Sequence, residues 1–302
     1  MALSVSVDRV DESGRELLTY GTEDFPIAFF DDDLTKISVP YHWHDELEIV
    51  ILTEGSVRMR IAGREFALKA GDGYFSNSGI LHSETLLTKT GHQHALVFSP
   101  RIVSQRDDLI WKKYITPVLG NNQIPFLALN GSVPWQREIL RLAETAWDSG
   151  AYDTKDYPLV VRASLSMVFS HIVDHIGEVG NEISYTSAFQ RDELRIKKIL
   201  VYVENNYGTN ITLEELANSS NISPSTCLRL FNTVLGTTPI KYLLTFRLQK
   251  AMEELKRANG RTISEIAQSC GFSDASYFNR CFRKEYGKTP SEYMASIKET
   301  LM

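Results

Sequence analysis

Cysteine is scarce in this 302-residue chain: Cys227, Cys270 and Cys281 are the only three. None shows Cys-x-x-Cys spacing, which excludes a disulfide framework and a thiolate zinc site. They read instead as small core residues in a reducing compartment. Long hydrophobic runs are missing as well. No stretch approaches the roughly 20 apolar residues of a membrane span, and the start, Met-Ala-Leu-Ser-Val-Ser, lacks the charged region and apolar core of a secretion signal. A cytoplasmic protein with no membrane partner is expected. Basic charge is also in deficit, with 32 Lys and Arg against 38 Asp and Glu, a net charge of −6. Taken over the whole chain, that balance argues against a nucleic-acid partner.

What is present reverses that argument. From Ala188 onward there are 16 Lys and Arg against 12 Asp and Glu, and the remainder carries 16 against 26. The acidic excess belongs to the first part, and the basic excess, though mild, to the last. At this length and 43% hydrophobic content, two cores are expected rather than one.

The basic part contains one pattern written twice. The first copy runs from Thr212 to Phe231 and on to Gly236-Thr237-Thr238-Pro239. The second runs from Thr262 to Phe282 and on to Gly287-Lys288-Thr289-Pro290. Leu213, Leu216 and Ala217, like Ile263, Ile266 and Ala267, fall at helical spacing. Asn221 and Gly271 suit a left-handed turn, Ile222 and Phe272 follow as apolar plugs, and Ser223 and Ser273 are expected N-caps. Pro224 fits the first helical position. Leu230 and Phe231, or Phe278 and Phe282, face inward, leaving Arg229 and Arg280 outward. Each copy thus predicts helix, sharp turn, helix, with a connecting helix from Pro239 to about Asn259-Gly260, roughly 30 Å long. That length approaches the ~34 Å between successive major-groove faces of a duplex. Two hairpins that merely packed together would not need exposed arginines at matched places.

Residues from about 190 to 298 resemble the double helix-turn-helix domain of the arabinose-regulator (AraC/XylS) family of bacterial transcription factors. Gly271-Phe272-Ser273, Tyr277-Phe278-Asn279-Arg280, Phe282, Tyr286-Gly287 and Thr289-Pro290-Ser291-Glu292-Tyr293 carry the resemblance. Thr226-Cys227 departs from the aromatic-Leu pair common in the first copy. The expected DNA-contacting residues are Ser225, Thr226, Leu228 and Arg229 in the first copy. In the second they are Ser276, Tyr277, Asn279 and Arg280, with Arg283, Lys284 and Lys288 on phosphates. The resemblance implies an operator duplex, RNA polymerase and a second copy of the chain as partners. It also implies a small-molecule effector, often a sugar, and activation as the outcome.

The first half has a different rhythm. Short β-branched and aromatic runs (27–30, 47–53, 57–61, 65–69, 74–76, 83–87 and 95–98) alternate with glycine-bearing turns, which predicts a β-barrel or double-sheet jelly roll. Helices follow at 135–148 and 157–176. The apolar face of the second is a dimer surface or simply a cover for the barrel. Another helix is expected from Asp192 to Asn206. The polar stretch Gly177–Ser187 reads as a linker, and the segment before about Phe25 as a mobile arm or disorder. The fold class is therefore α+β multidomain, with a cupin-like domain over residues 1–180 and an all-α double helix-turn-helix domain over 188–302.

His42, Trp43, His44 and Glu48 form one cluster, and His82 closes a later Gly79-Ile80-Leu81-His82. Positions 42, 44 and 48 are even steps, so one extended strand would point them to a single face. The pattern resembles the two cupin motifs, and His42, His44, Glu48 and His82 match their four metal-ligand positions. Asn77 and Leu86 depart from the second motif. Three readings stay open: a divalent transition metal on the quartet, no other cofactor being required; a metal-free sugar pocket using the quartet as its polar wall; or barrel packing alone. The sugar wall is preferred, with Tyr41, Trp43 and Tyr74 stacking on the ligand and His42, His44, Glu48 and His82 meeting its hydroxyls. His92 and His94 either add to that pocket or are surface or core residues. The expected function is an effector-controlled, sequence-specific transcription regulator and not an enzyme. The alternative is a metal-dependent cupin enzyme or metal sensor fused to a DNA-binding domain.

Overall fold

The computed structural model describes residues 3–4, 21–22, 24–37, 39–106, 108–120, 124–179, 186–257 and 261–300, with 179 and 296–300 described by backbone alone. Most of the segment before Phe25, most of the expected linker and Asn259-Gly260 lie outside the described residues. The chain divides into two compact units, Met1–Glu193 and Leu194–Met302.

Among the described residues, unit 1 holds nine strands: β1 (Ile27–Asp33), β2 (Val39–His42), β3 (Leu47–Glu54), β4 (Ser56–Ile61), β5 (Arg64–Lys69), β6 (Gly73–Ser76), β7 (His82–Leu86), β8 (His92–Phe98) and β9 (Phe126–Leu129). They form two antiparallel sheets, ordered β1-β8-β3-β6-β9 and β2-β7-β4-β5. Strand alternation divides the five-stranded sheet into two apolar faces. Ala28, Phe30, Val50, Tyr74 and Val97 meet Val57, Met59 and Ile61 of the four-stranded sheet. Ile27, Phe29, Ile49, Leu96 and Phe98 pack under the helices instead. With both faces covered, β3 reads as a continuous apolar run rather than an alternating one. Two strands, β2 and β9, had no separate sequence signal; each is only four residues long.

After β8 a 3-10 turn at Pro100–Ile102 precedes a short π-helix at Trp111–Ile115, which leads into α1 (Thr116–Leu119). Next come α2 (Pro134–Ala151), α3 (Tyr157–Asp174) and α4 (Ile176–Val179). Pro134 sits in the first turn of α2, where a missing N–H costs nothing. Val161, Leu165, Val168, Phe169 and Ile172 of α3 are buried with Ala143 and Trp147 of α2 in the sheet-covering core. Leu159 and Met167 remain exposed, so only part of the apolar surface of α3 covers the barrel. The boundary between the units falls inside α5 (Ser187–Asn206).

Unit 2 continues with α6 (Leu213–Ser219), α7 (Pro224–Leu230), α8 (Pro239–Arg257), α9 (Ile263–Ser269), α10 (Ala275–Tyr286) and α11 (Pro290–Thr300). The entry helix of each repeat starts with a reciprocal capping box. The side chains and backbones of Thr212 and Glu215, and of Thr262 and Glu265, satisfy each other's unpaired groups. Asn221 and Gly271 adopt φ of 54° and 82°, the left-handed turn each repeat needs. Gly236 and Gly287 end the second helices in the same conformation. Ser223 caps α7, accepting from the Thr226 N–H. Ser273 does not cap α10: Asp274 does, accepting from Ser276 and Tyr277. The extra residue between the repeats moves the cap one position on, where a carboxylate also suits the positive helix end. Leu216, Ala217, Cys227, Leu230 and Phe231 are fully buried, as are Ile266, Ala267, Phe278 and Phe282 of the second repeat.

Candidate functional site

In each repeat the second helix has one face inside and one outside. Cys227 and Leu230 anchor α7, which exposes Ser225, Leu228 and Arg229, with Thr226 half-buried. Phe278 and Phe282 anchor α10, which exposes Ser276, Tyr277, Asn279, Arg280, Arg283 and Lys284; Lys288 follows, also exposed. Eleven positions expected to meet DNA therefore lie on or just beyond these two helices, away from the core. A guanidinium on such a face can fork onto guanine O6 and N7. Behind α10, Arg247 of α8 donates through Nε to the Tyr207 carbonyl at 2.8 Å and through a terminal nitrogen to that of Thr209 at 2.6 Å. Sequence reasoning missed this clamp, because its partners are backbone atoms some forty residues away.

The second cluster lies between the two sheets of unit 1. His42 of β2 and His82 of β7 are directly paired across the four-stranded sheet. Glu48 comes from β3 of the other sheet, and His44 from the turn between them. The even-step expectation fails here, since 42, 44 and 48 do not share one strand. The chain crosses from sheet to sheet, and the crossing itself brings the groups together. All four are buried. The Glu48 carboxylate lies 3.0 Å from His82 Nε2 and 3.6 Å from His44 Nε2. One ligand atom from each of the three histidines falls within 4.8 Å of the other two.

The histidine rings are held by their other nitrogens. Nδ1 of His42, His44 and His82 lies 2.9, 3.1 and 2.8 Å from the carbonyls of Pro40, Glu46 and Ile80. A carbonyl only accepts, so each Nδ1 carries a hydrogen, and Nε2 is the atom each ring turns toward the rest of the cluster. Burial, and then repulsion from His82, pushes His42 down to about 3 and keeps it neutral. Burial pushes Glu48 upward, but the neighbouring His82 and His44 outweigh it and hold the carboxyl well below its usual range. Tyr74 adds a hydroxyl 2.8 Å from Glu84 and 3.3 Å from Glu48. Burial, aided by Glu48, lifts Glu84 to about 8, so this carboxyl holds its proton at neutral pH. Glu84 was not anticipated, although it lies two residues after His82 and so on the same strand face.

Other expected pocket residues go elsewhere. Tyr41 points to the outer face of the four-stranded sheet, toward Ser83 and Arg60, because it alternates with inward His42. Trp43 is half-buried. His92 and His94 share parity with Leu96 and Phe98 and face the helices, away from the quartet. Open space lies at a third place: a groove of about 690 Å³ beside edge strands β5 and β9, lined by Arg64, Phe66, Phe126, Trp135, Gln136 and Glu178 among others.

Known proteins match both halves of this architecture. Residues 25–94 match the model of an AraC-like ligand binding domain, and residues 216–296 that of a helix-turn-helix domain. The chain thus carries an AraC-like ligand-binding domain followed by a helix-turn-helix domain. The HTH-type transcriptional regulator YdeC of Bacillus subtilis (strain 168) is 26% identical over 290 residues, covering 94% of this chain and 97% of that protein. The HTH-type transcriptional activator RhaS of Pectobacterium carotovorum subsp. carotovorum (strain PC1) is 24% identical over 262 residues, covering 84% of this chain and 87% of that protein. Among solved structures, fatty-acid-bound ToxT from Vibrio cholerae aligns over 92% of this chain and 97% of its own, with 17% identity and a TM-score of 0.41. The chain is accordingly a transcriptional regulator with an AraC-like ligand-binding domain and a DNA-binding domain. Among its described residues no helix is long and apolar enough to cross a membrane.

Proposed function

We propose that the protein is a sequence-specific activator whose unit 2 reads an operator while unit 1 senses a small effector. The carrying observation is the duplicated motif, with two capped helices exposing Arg229 and Arg280 at matched places. The relatives named as activators support the direction of control. Such a protein works where bacterial DNA is, in the cytoplasm, as a dimer touching RNA polymerase and without catalysing a reaction. In this reading residues 1–180 serve the effector and residues 188–302 serve DNA.

The effector side has two parts of different size. The quartet is too tight for a sugar between its members, but its converging imidazole nitrogens and carboxylate suit a divalent transition metal, whose ligands stand about 2.0–2.2 Å from the ion. His42, His44, Glu48 and His82 would hold it, and the carbonyls on Nδ1 would orient the rings. Bound there, the ion would supply a Lewis-acidic centre that ties the two sheets together. The β5/β9 groove, with two stacked phenylalanines and mixed charges, has room for an organic effector such as a sugar. An effector shifts DNA affinity only through its differential affinity for the two states. Operator selection with the full-length protein, repeated with a panel of sugars and divalent metals, tests this reading. Enrichment of a bipartite site whose occupancy changes with one panel member supports it; recovery of unselected sequence alone refutes it.

A further inference from the structure

A second histidine cluster lies on the helix-facing side of the five-stranded sheet, apart from the buried quartet. Asp31 of β1 stands directly opposite His94 of β8, and His92 lies two residues along the same strand. Strand alternation turns all three to the same face. His92 Nε2 contacts the Asp31 carboxylate, and His94 Nε2 lies 3.7 Å from the same oxygen, Oδ1. One ligand atom from each of the three residues falls within 4.8 Å of the other two. Their side chains are 38%, 35% and 16% exposed, so the cluster opens to solvent.

We propose that Asp31, His92 and His94 bind a divalent transition metal of borderline softness, zinc foremost. Two imidazoles and one carboxylate are the donor types such an ion takes, and three protein ligands leave a coordination position open to water. The surroundings prepare one ligand for this. His94 Nδ1 lies 2.8 Å from a carboxylate oxygen of Glu144, on α2. With the hydrogen on Nδ1, donated to Glu144, Nε2 is left bare toward Asp31 and His92. This carboxylate–histidine relay is the usual outer support of a zinc ligand. The His94 ring also lies flat on Trp147, with centroids 3.5 Å apart and planes within 3°, which fixes its orientation. A plain ion pair between His92 and Asp31 would require none of this positioning around His94. Glu144 is thus a positioning residue, and the bound ion would connect β1 and β8 to α2 through it.

Zinc titration of the full-length, metal-stripped protein against a chromophoric zinc indicator tests the site. His92→Ala and Asp31→Asn, both at part-exposed positions, should each lose one zinc equivalent or weaken it at least tenfold. Glu144→Gln should weaken the same equivalent on the order of 10–100-fold. His82→Ala, which disables the buried quartet, should leave it intact. This control separates the two clusters, so failure of the metal reading for the quartet would not count against the outer site. Unchanged tryptophan fluorescence of the variants establishes that they fold. A His92→Ala protein titrating like wild type overturns the proposal, as does loss of all zinc binding in His82→Ala. A wild-type protein that takes up no zinc also overturns it.

Discussion

Replacing Gly271 by Ala should damage the second DNA-reading unit far more than replacing Gly287, although both glycines are left-handed. Their φ values are 82° and 72°. Placing an L-residue there costs roughly 1–2 kcal/mol in either case. The surroundings differ. A Cβ on Gly287 meets nothing within 4 Å, whereas one on Gly271 lands on the Tyr207 carbonyl oxygen and 2.8 Å from Arg247 Nε. Arg247 would have to move, giving up its bonds to Tyr207 and Thr209. Charge-assisted bonds contribute about 1.5–3 kcal/mol each, so Gly271→Ala should cost about 2–4 kcal/mol beyond Gly287→Ala. All four tryptophans (43, 111, 135 and 147) lie in unit 1, so their fluorescence follows that unit alone. In urea, helical circular dichroism of Gly271→Ala should be lost early while the tryptophan transition stays in place. Equal losses in the two variants would refute the argument, because backbone strain would then account for everything.

Thr262→Ala removes the cap of α9 and should cost unit 2 about 1 kcal/mol by the same dichroism assay, with Thr212→Ala behaving alike at α6. Glu84, lifted to about 8 by burial, binds a proton when folded that the unfolded chain has already released above its ordinary 4.5. Its stabilising contribution is therefore full below pH 4.5 and is lost as pH rises toward 8. His42, held near 3, has the opposite sign between 3 and 6.5 and offsets this slope there. Metal-free unit 1 should thus lose stability between about pH 6.5 and 8 by up to ~1.4 kcal/mol per unit, and Glu84→Gln should flatten the loss. Tryptophan-monitored unfolding across that range checks it, and parallel slopes for the two proteins would contradict it. Binding by the full chain should weaken steeply with salt, each phosphate neutralised by Arg283, Lys284 or Lys288 adding about −0.9 to the log–log slope. Removing one of these charges should lower that slope by nearly one, and an unchanged slope would move that residue off the backbone.

The helical half was legible because local chemistry dictates it. Turn conformation at Asn221 and Gly271, caps at Thr212 and Thr262 and inward phenylalanines at 278 and 282 all depend on neighbours a few residues away. Two slips occur there: Ser273 is expected as N-cap in place of Asp274, from carrying one repeat's register across an inserted residue, and α5 begins at Ser187 rather than at Asp192. The double-sheet half was legible as a class, with seven of its strands announced by β-branched runs. β2 and β9 were not announced, being four residues long and positioned by partners distant in sequence. The quartet could be named from its motif, but not its route: His42 and Glu48 come from opposite sheets, and no spacing rule reveals such a crossing. Strand parity, applied once the strands are known, explains why Tyr41, His92 and His94 point elsewhere and why Glu84 points in.

Whether the two matched helices α7 and α10 read base sequence is decided by binding to a selected and a scrambled duplex. Wild type, Arg229→Ala and Arg280→Ala should be compared on both duplexes at one salt concentration. Each arginine, if forked on a guanine, should contribute about 1–3 kcal/mol on the selected duplex and little on the scrambled one. Both variants should lose most of their discrimination while keeping near wild-type affinity for scrambled DNA. Equal losses on the two duplexes would reduce the arginines to phosphate contacts, and unchanged binding by both variants would contradict the assignment of α7 and α10 as the reading helices.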